Sequence, residues 1–415
     1  MIHLPVSKSI GARYLVATFF ARTLPADPLF EDNDDLMVLQ QALLEIFSDE
    51  EPIDYGDTPI DVGASGTAMR FVSAVCASTP GADYVVAGTP RLMSRPMTPL
   101  LNLLQQAGAG IESLGREDKG PYRIKGGNLQ GGDFTIRGDV SSQFVSAVML
   151  AAPYWEKGVR LRFSTPLVSR PYVEMTARLL DTFGVKCKLT DMDVTVEPGE
   201  YRIPKKFRVE ADWSSASFFY EGCAIGEIPV ELADLTAPEL SLQGDSRVAD
   251  LFLKLGVDSI FSANSVTLER TENQEETVEV DFKDCPDLVL PYAVACLCQG
   301  VKFRFVNVAH LRLKESDRIE SLQKEALKLG FVISADENEI KWDGTVKDKE
   351  ADPLIETYDD HRVAMSFAMA ALKFGKIRIS HPEVVEKSFI DFWNQIELLG
   401  LKCNFTGTEV TVTKE

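Results

Sequence analysis

The sequence predicts an α/β protein of two domains, each assembled from three copies of one repeating unit. Three observations carry this. At 415 residues the chain exceeds what a single hydrophobic core ordinarily serves. Six times, a short polar cluster opens an apolar, helix-like run of small residues. Between those runs lies a second, amphipathic helical series, most of whose members lead into alternating segments with turn signals.

The six apolar runs are SKSIGARYLVATFF from Ser7, GASGTAMRFVSAVCA from Gly63, VSSQFVSAVMLAA from Val140, WSSASFFYEGCAI from Trp213, CPDLVLPYAVACL from Cys285 and DDHRVAMSFAMAAL from Asp359. From the third onward their starts are 73, 72 and 74 residues apart. The interleaved series is DDLMVLQQALLEIF, MTPLLNLLQQAG, PYVEMTARLLDTFG, DSRVADLFLKLG, SDRIESLQKEALKLG and FIDFWNQIELLG, with Gly108, Gly184, Gly256, Gly330 and Gly400 as helix stops. CKLTDMDVTVEP, DSIFSANSVTLER, FVISADENEIKWDG and LKCNFTGTEVTVTK each read as a β-hairpin.

One unit is therefore an apolar helix, a strand such as VRLRFS or VKFRFV, an amphipathic helix and a hairpin. A helix apolar all round must be buried, whereas an amphipathic one lies on one side of a sheet. Buried helices inside and sheets outside follow. Six units divide into an N-terminal domain over 6–211 and a C-terminal domain over 212–415, with residues 1–5 a candidate addition to the second. The first unit is abbreviated, because the stretch between Phe47 and Asp61 is too short and too acidic for a full hairpin.

Composition excludes several classes of function. Hydrophobic residues at 45% and charged residues at 26% are those of a globular protein. No apolar run approaches the roughly 18 residues a membrane span needs, and MIHLPVSKS lacks the basic-then-apolar order of an export signal. A cytoplasmic protein with no membrane partner is expected. Seven cysteines without paired CxxC spacing point to neither a disulfide framework nor a metal site. A net charge of -20 argues against nucleic acid as partner. Any anionic ligand must then be held by a local basic cluster.

The helix starts supply such clusters: Lys8 and Arg13, then Gly66, Thr67 and Arg70, then Ser141, Ser142 and Gln143, then Ser214 and Ser215, then Asp287, then His361 and Arg362. A helix N-terminus offers free N–H groups and partial positive charge, so converging N-termini make an anion site. Serine or aspartate at any single helix start is ordinarily just an N-cap. Six in phase point further. Between strand and amphipathic helix, HLRLKESDR adds Arg312, Lys314, Glu315, Asp317 and Arg318, GTPRLMSRP adds Arg91 and Arg95, LVSRPYVEM adds Ser169, Arg170 and Tyr172, and EVVEKSFIDFW adds Lys387. A charge run is commonly a solvated helix face. These runs instead sit in short connections.

SKSxxxR, GTAMR, PRxxxRP, SSQF, SRPYxxMT, SSAS, LQGD, PD, RLKESDR, DDHRxAM and KSFIDFW occur in this order across the whole chain. Any one is a weak signal, but the ordered set resembles the 5-enolpyruvylshikimate-3-phosphate synthases (3-phosphoshikimate 1-carboxyvinyltransferases) of the enolpyruvyl transferase family. The resemblance implies two domains of three βαβαββ units each, an inside-out α/β barrel. It implies transfer of the enolpyruvyl group of phosphoenolpyruvate to the 5-hydroxyl of 3-phosphoshikimate, releasing phosphate, on the way to chorismate and the aromatic amino acids. It implies a monomer with two small-molecule substrates, no cofactor and no metal.

By the same resemblance, Lys8, Ser9, Arg13, Ser141, Ser142, Gln143, Ser169, Asp287, His310 and Lys314 hold 3-phosphoshikimate, with Tyr172 a neighbour. Lys8, Gly66, Arg95, Gln143, Arg318, Arg362 and Lys387 hold phosphoenolpyruvate. Asp287 matches the proton acceptor at the 5-hydroxyl, Glu315 the proton donor to the methylene carbon, and Lys314 a group contacting the reacting hydroxyl. Addition needs a proton taken from oxygen and one given to carbon, and elimination reverses the carbon step. Two domains that each carry part of a cationic site are expected to close when anions bridge them.

The sequence departs from the family pattern at Val6, where glycine is usual, at Ala12, Ala64 and Ser65, and at His310, where asparagine is usual. Few residues precede Ser7, which leaves open the strand that the family's N-terminus lends to the C-terminal domain. Two alternatives stand beside this reading. The sister enolpyruvyl transferase acting on a UDP-amino sugar carries a reactive cysteine near the PRxxxRP position, where this chain has Pro90 and Arg91, and Cys76 lies inside the preceding apolar helix. A non-catalytic anion-binding homologue would have no need of Asp287, Lys314 and Glu315 together. Within DDHR, Asp359 or Asp360 is expected to cap the helix, Arg362 to hold phosphoenolpyruvate and His361 to be structural.

Overall fold

Each of the six apolar runs folds as a helix with nearly every residue buried: α1 (Lys8–Phe20), α2 (Gly66–Ser78), α3 (Ser142–Ala151), α4 (Trp213–Gly226), α5 (Val289–Gln299) and α6 (His361–Met369). The computed structural model describes residues 1–47, 59–116, 119–262 and 265–415. It divides into two units, one of Lys8–Val209 and one of Glu210–Glu415 with Met1–Ser7. Helices α1, α2 and α3 pack on one another in the first, and α4, α5 and α6 do so in the second. The small residues that made these runs conspicuous let three helices share one interior.

Sheets lie outside the helices, and one pattern recurs in four of them. Leading strands pair in parallel, as Gly132–Ile136 does with Val159–Phe163, and a hairpin then adds antiparallel strands, giving the order first, second, fourth, third. A strand, a helix, a strand, a helix and a hairpin must give this βαβαββ order if the parallel pair is joined through the buried helix. Alternation along Val159–Phe163 and Lys302–Val306 turns every second residue to the helices and leaves arginines and lysines outside. All four expected hairpins form. The expected abbreviation between Phe47 and Asp61 falls largely on 48–58, outside the described residues.

Amphipathic helices occupy the expected places, including Asp34–Phe47, Thr98–Ala107, Arg170–Thr182 and Arg318–Lys328. Gly108 ends one of them at φ +117, which a side chain would resist. Where the sequence suggests one continuous helix from Cys285, the chain instead makes a 3-10 turn at Pro286–Leu288 before α5. Pro291 has no N–H to offer the carbonyl of Asp287, so the α-helical ladder cannot include that residue.

The N-terminal residues are tied into the second unit. Ile2 bridges Leu232 in parallel, with Ile2 N–H donating to Glu231 at 2.7 Å and Ala233 N–H to Ile2 at 2.9 Å. Val6 bridges Ala211, and Ser7 N–H donates to the Glu210 carbonyl at 2.7 Å. Five residues before Val6 thus suffice to bring a backbone edge alongside Val230–Ala233. No helix among the described residues is long and apolar enough to cross a membrane.

Glu221 breaks the hydrophobic rule of the core. Glu221 in α4 is fully buried and neither carboxyl oxygen finds a hydrogen-bond partner among the described residues. Burial raises its pKa well above the ordinary range, so the folded protein holds it neutral. The unfolded chain ionises Glu221 above about pH 4.3, so its contribution to stability falls as pH rises toward the folded value. Glu221→Met is expected to raise stability by about 1–3 kcal/mol near neutrality and less in acid. Denaturant unfolding at pH 5 and pH 8 measures the difference, and an equal effect at both pH values would contradict a neutral buried carboxyl.

Candidate functional site

In the unit of Lys8–Val209 the three buried helices begin near one another. Arg13 in α1 is 2% exposed and reaches the other two helices. Its Nη2 donates to Ser146 Oγ of α3 at 2.9 Å and to the Tyr172 carbonyl at 3.1 Å, its Nε to Thr176 Oγ1 at 2.7 Å and its Nη1 to the Ser9 carbonyl at 2.7 Å. The guanidinium also lies over the Phe71 ring of α2, 5.7 Å from its centroid. Burial lowers its pKa to about 10, which leaves it charged at neutral pH. Its acceptors among the described residues are all neutral oxygens.

Gly66 opens α2 behind the N-cap Ser65, whose hydroxyl accepts from Ala68 N–H at 3.2 Å. Ser65 is thus a functional cap despite departing from the family pattern. A Cβ at Gly66 would stand 2.5 Å from Arg70 Nη1 and 2.8 Å from Arg95 Nη1. The glycine is what lets two guanidinium groups come to a helix N-terminus, an arrangement suited to phosphate or carboxylate. Gln143 of α3 donates to Thr67 Oγ1 of α2 at 3.0 Å, and Ser141 caps α3 by accepting from Gln143 N–H at 3.3 Å. Ser142 is buried beside it.

Ser169 sits before the Arg170–Thr182 helix with φ +52, a left-handed conformation that serine adopts at a cost. Lys8 is paired with Asp35 at 3.1 Å, a partner that nothing in the sequence announced. Cys76 is fully buried in α2, and burial pushes its thiol far above the range of a reactive cysteine.

In the other unit a denser ionic cluster forms where α4, α5 and α6 begin. Arg318, the first residue of the Arg318–Lys328 helix, is 2% exposed and touches three carboxylates. Its Nε donates to Asp360 Oδ2 at 2.9 Å, its Nη1 to Asp287 Oδ1 at 2.7 Å and its Nη2 to Glu315 Oε2 at 3.0 Å. Asp360 also accepts from Ser316 Oγ at 3.0 Å and from the Arg362 N–H at 3.0 Å, so it both caps α6 and binds the arginine. Arg362 reaches the second oxygen of Asp287 at 3.1 Å.

Burial by itself would raise the pKa of Asp287, but Arg362, Lys314 and Arg318 together hold it well below the usual carboxylate range. For Arg318, burial works against the charge and Asp360, Glu315 and Asp287 override it. His310 lies in the turn Ala309–Leu313; burial, then Lys314, push its pKa down to about 4, so it is a neutral imidazole at pH 7. Its Nε2 has no hydrogen-bond partner among the described residues. Lys387 ends the turn Pro382–Lys387, which packs on α6. His361 is 1% exposed, with Nδ1 3.9 Å from Asp360.

The sequence-predicted residues thus fall into two groups. Lys8, Ser9, Arg13, Gly66, Arg95, Ser141, Ser142, Gln143 and Ser169 belong to one unit, and Asp287, His310, Lys314, Glu315, Arg318, Arg362 and Lys387 to the other. Sequence reasoning missed Asp35, Ser316, the second role of Asp360 and Asp245, a buried carboxyl of the LQGD segment. Only the last had a signal, in a motif left without a task. Among the described residues no group of three or more His, Cys, Asp or Glu side chains is placed to hold a metal ion.

Comparison with known proteins gives a consistent result. The family model described as EPSP synthase (3-phosphoshikimate 1-carboxyvinyltransferase) matches residues 20–396. A 3-phosphoshikimate 1-carboxyvinyltransferase of Bacteroides fragilis strain YCH46 is 39% identical over 404 residues, covering 96% of this chain and 95% of the relative. One of Vibrio cholerae strain M66-2 is 32% identical over 421 residues, covering 96% of each. A solved EPSP synthase of Acinetobacter baumannii superposes with a TM-score of 0.70 over 100% of this chain and 97% of its own, at 23% identity, and shares the fold.

Asp360 is the fully buried partner of Arg318. Asp360→Asn leaves the buried Arg318 short of one negative charge, for which about 3–5 kcal/mol of destabilisation is expected. Urea unfolding of the two proteins at one pH measures it. A change below about 1 kcal/mol would show that Asp287 and Glu315 suffice.

Proposed function

The chain belongs to the EPSP synthase family, and from that premise we propose how its residues divide the reaction. The activity is that of a 3-phosphoshikimate 1-carboxyvinyltransferase: the enolpyruvyl group passes from phosphoenolpyruvate to the 5-hydroxyl of 3-phosphoshikimate and inorganic phosphate leaves. Lys8, Ser9, Arg13, Ser141, Ser142, Gln143 and Ser169 take 3-phosphoshikimate, joined by Asp287, His310 and Lys314. Gly66, Arg95, Arg318, Arg362 and Lys387 take phosphoenolpyruvate, with Lys8 and Gln143 touching both. The chain acts as a cytoplasmic monomer, without metal or cofactor.

Glu315 gives a proton to the methylene carbon, which leaves the neighbouring carbon electron-poor. The 5-hydroxyl oxygen bonds to that carbon while its proton goes to Asp287, with Lys314 steadying the oxygen. In the resulting tetrahedral intermediate the carbon–oxygen bond to phosphate breaks as Glu315 takes a proton back from the methyl group, and phosphate leaves with the bonding electrons. Fixed cations already facing the phosphate and carboxylate stabilise the charge that develops.

What supports this reading most is the position of Asp287 between Arg318 and Arg362, with Glu315 on the same Arg318. Gripped by two guanidinium groups, Asp287 is a weak base. A trianionic ligand competes for those arginines, and as they turn toward it Asp287 recovers basicity. The base is thereby switched on by the co-substrate. His310, neutral and with Nε2 unpartnered among the described residues, can hydrogen-bond a substrate hydroxyl as the usual asparagine would.

Phosphate release assayed with each substrate omitted in turn is expected only when both are present; release with either omitted would refute transfer. Glu315→Gln is expected to lower kcat by about 10²–10⁴-fold while leaving binding of 3-phosphoshikimate largely intact by calorimetry. Unchanged turnover would remove Glu315 from its role.

A further inference from the structure

Glu325 and Tyr358 enter none of the roles above, yet they hold the turn from which Asp360 and Arg362 emerge. The strand Leu354–Ile355 leads into a turn closed by the Asp360 N–H, which donates to the Thr357 carbonyl at 2.9 Å. Its two central residues, Tyr358 and Asp359, stand at φ +53 and +57. Neither is glycine, and a bulky side chain is resisted in this left-handed region, so such a turn persists where its surroundings impose it.

Glu325 supplies that constraint. It is fully buried in the Arg318–Lys328 helix, about two turns beyond Arg318 itself. Its Oε1 accepts from the Tyr358 hydroxyl at 2.5 Å and its Oε2 from the Glu356 N–H at 3.0 Å, while Lys328 Nζ lies 2.7 Å from the same Oε2. Lys328 also donates to the Leu354 carbonyl at 2.7 Å. Ser380 Oγ accepts from the Thr357 N–H at 3.3 Å and donates to Glu356 Oε2 at 2.8 Å.

One helix therefore grips one turn twice. Glu325 holds Glu356 and Tyr358, and Arg318 holds Asp360, which in turn accepts from the Arg362 N–H at 3.0 Å. From the first turn of α6 the Arg362 guanidinium meets Asp287 Oδ2 at 3.1 Å. No glycine stands between Leu354 and Arg362 to absorb a shift, so a displaced turn carries Asp360 and Arg362 with it.

We propose that Glu325, through Tyr358, is a positioning residue for the transfer reaction: it fixes the turn that aims Arg362 at phosphoenolpyruvate. This rests on Arg362 being a phosphoenolpyruvate-binding residue. The test measures KM for phosphoenolpyruvate, kcat and calorimetric affinity for 3-phosphoshikimate in the whole protein. Tyr358→Phe keeps the ring and deletes the bond to Glu325. It is expected to raise KM about threefold to tenfold, with kcat and 3-phosphoshikimate affinity changing less than about twofold. Glu325→Gln is expected to raise KM at least as much. The double variant is expected to be no worse than Glu325→Gln alone, because both changes break the same link.

A pair that only stabilised the fold would lower resistance to urea and leave KM unmoved. A folded Tyr358→Phe protein with the wild-type KM therefore overturns the proposal. So does a fall in kcat without a rise in KM, and so do KM effects that multiply in the double variant. Should Glu325→Gln fail to fold by circular dichroism, Tyr358→Phe, altered at a partly buried ring, decides alone. Arg362→Lys separates the two levels: an unchanged KM there would sink the assignment of Arg362 and this proposal with it. A raised KM there beside an unmoved KM in Tyr358→Phe would sink only the proposal.

Discussion

The contact of Arg318 with three carboxylates is the constraint from which the chemistry of its unit follows. A buried guanidinium must satisfy a rigid, planar set of donors, and here the acceptors come from three separate segments: Asp287 before α5, Glu315 in the strand-to-helix connection and Asp360 at the start of α6. Their backbones are thereby fixed with respect to one another. Three acids around one arginine leave an excess of negative charge, which Arg362 and Lys314 offset. The acid and base assigned to the reaction are therefore held by the same cation, and neither can shift without disturbing the other.

The cluster around Arg13 solves a similar packing problem with opposite electrostatics. Hydroxyls and carbonyls satisfy its donors, so a buried arginine keeps its full charge, and Arg70 and Arg95 approach the same helix ends at Gly66. Arg13 is thus held by neutral groups, whereas Lys8 of the same unit is paired with Asp35 and Arg318 of the other with three acids.

Repeats, buried helices, hairpins and the identity of the charged residues were legible in the sequence because each depends on spacing along a few residues. Alternation in VKFRFV and apolarity throughout DDHRVAMSFAMAAL carry their meaning without reference to distant segments. A cap at Asp359 or Asp360 was recognisable, since capping is local, and Asp360 is the one that forms it. Its bond to Arg318, like that between Lys8 and Asp35, joins segments that only the tertiary fold brings together. The turn at Pro286–Leu288 was missed because Pro291 acts through a hydrogen bond that does not form. Glu221 was hidden by its surroundings, because one acid does not alter the reading of an otherwise apolar run.

The placement of Met1–Ser7 with Glu210–Glu415 makes Lys8–Val209 an insertion within the other unit. During synthesis Ile2 leaves the ribosome long before Glu231 and Leu232 exist to receive it, and the whole of the inserted unit is made in the meantime. The host remains one edge short until Ala211 and Glu231–Ala233 are made and Met1–Ser7 can pair with them. The order of translation is therefore not the order in which the protein can be completed, and a few residues made early stay uncommitted until the late ones arrive.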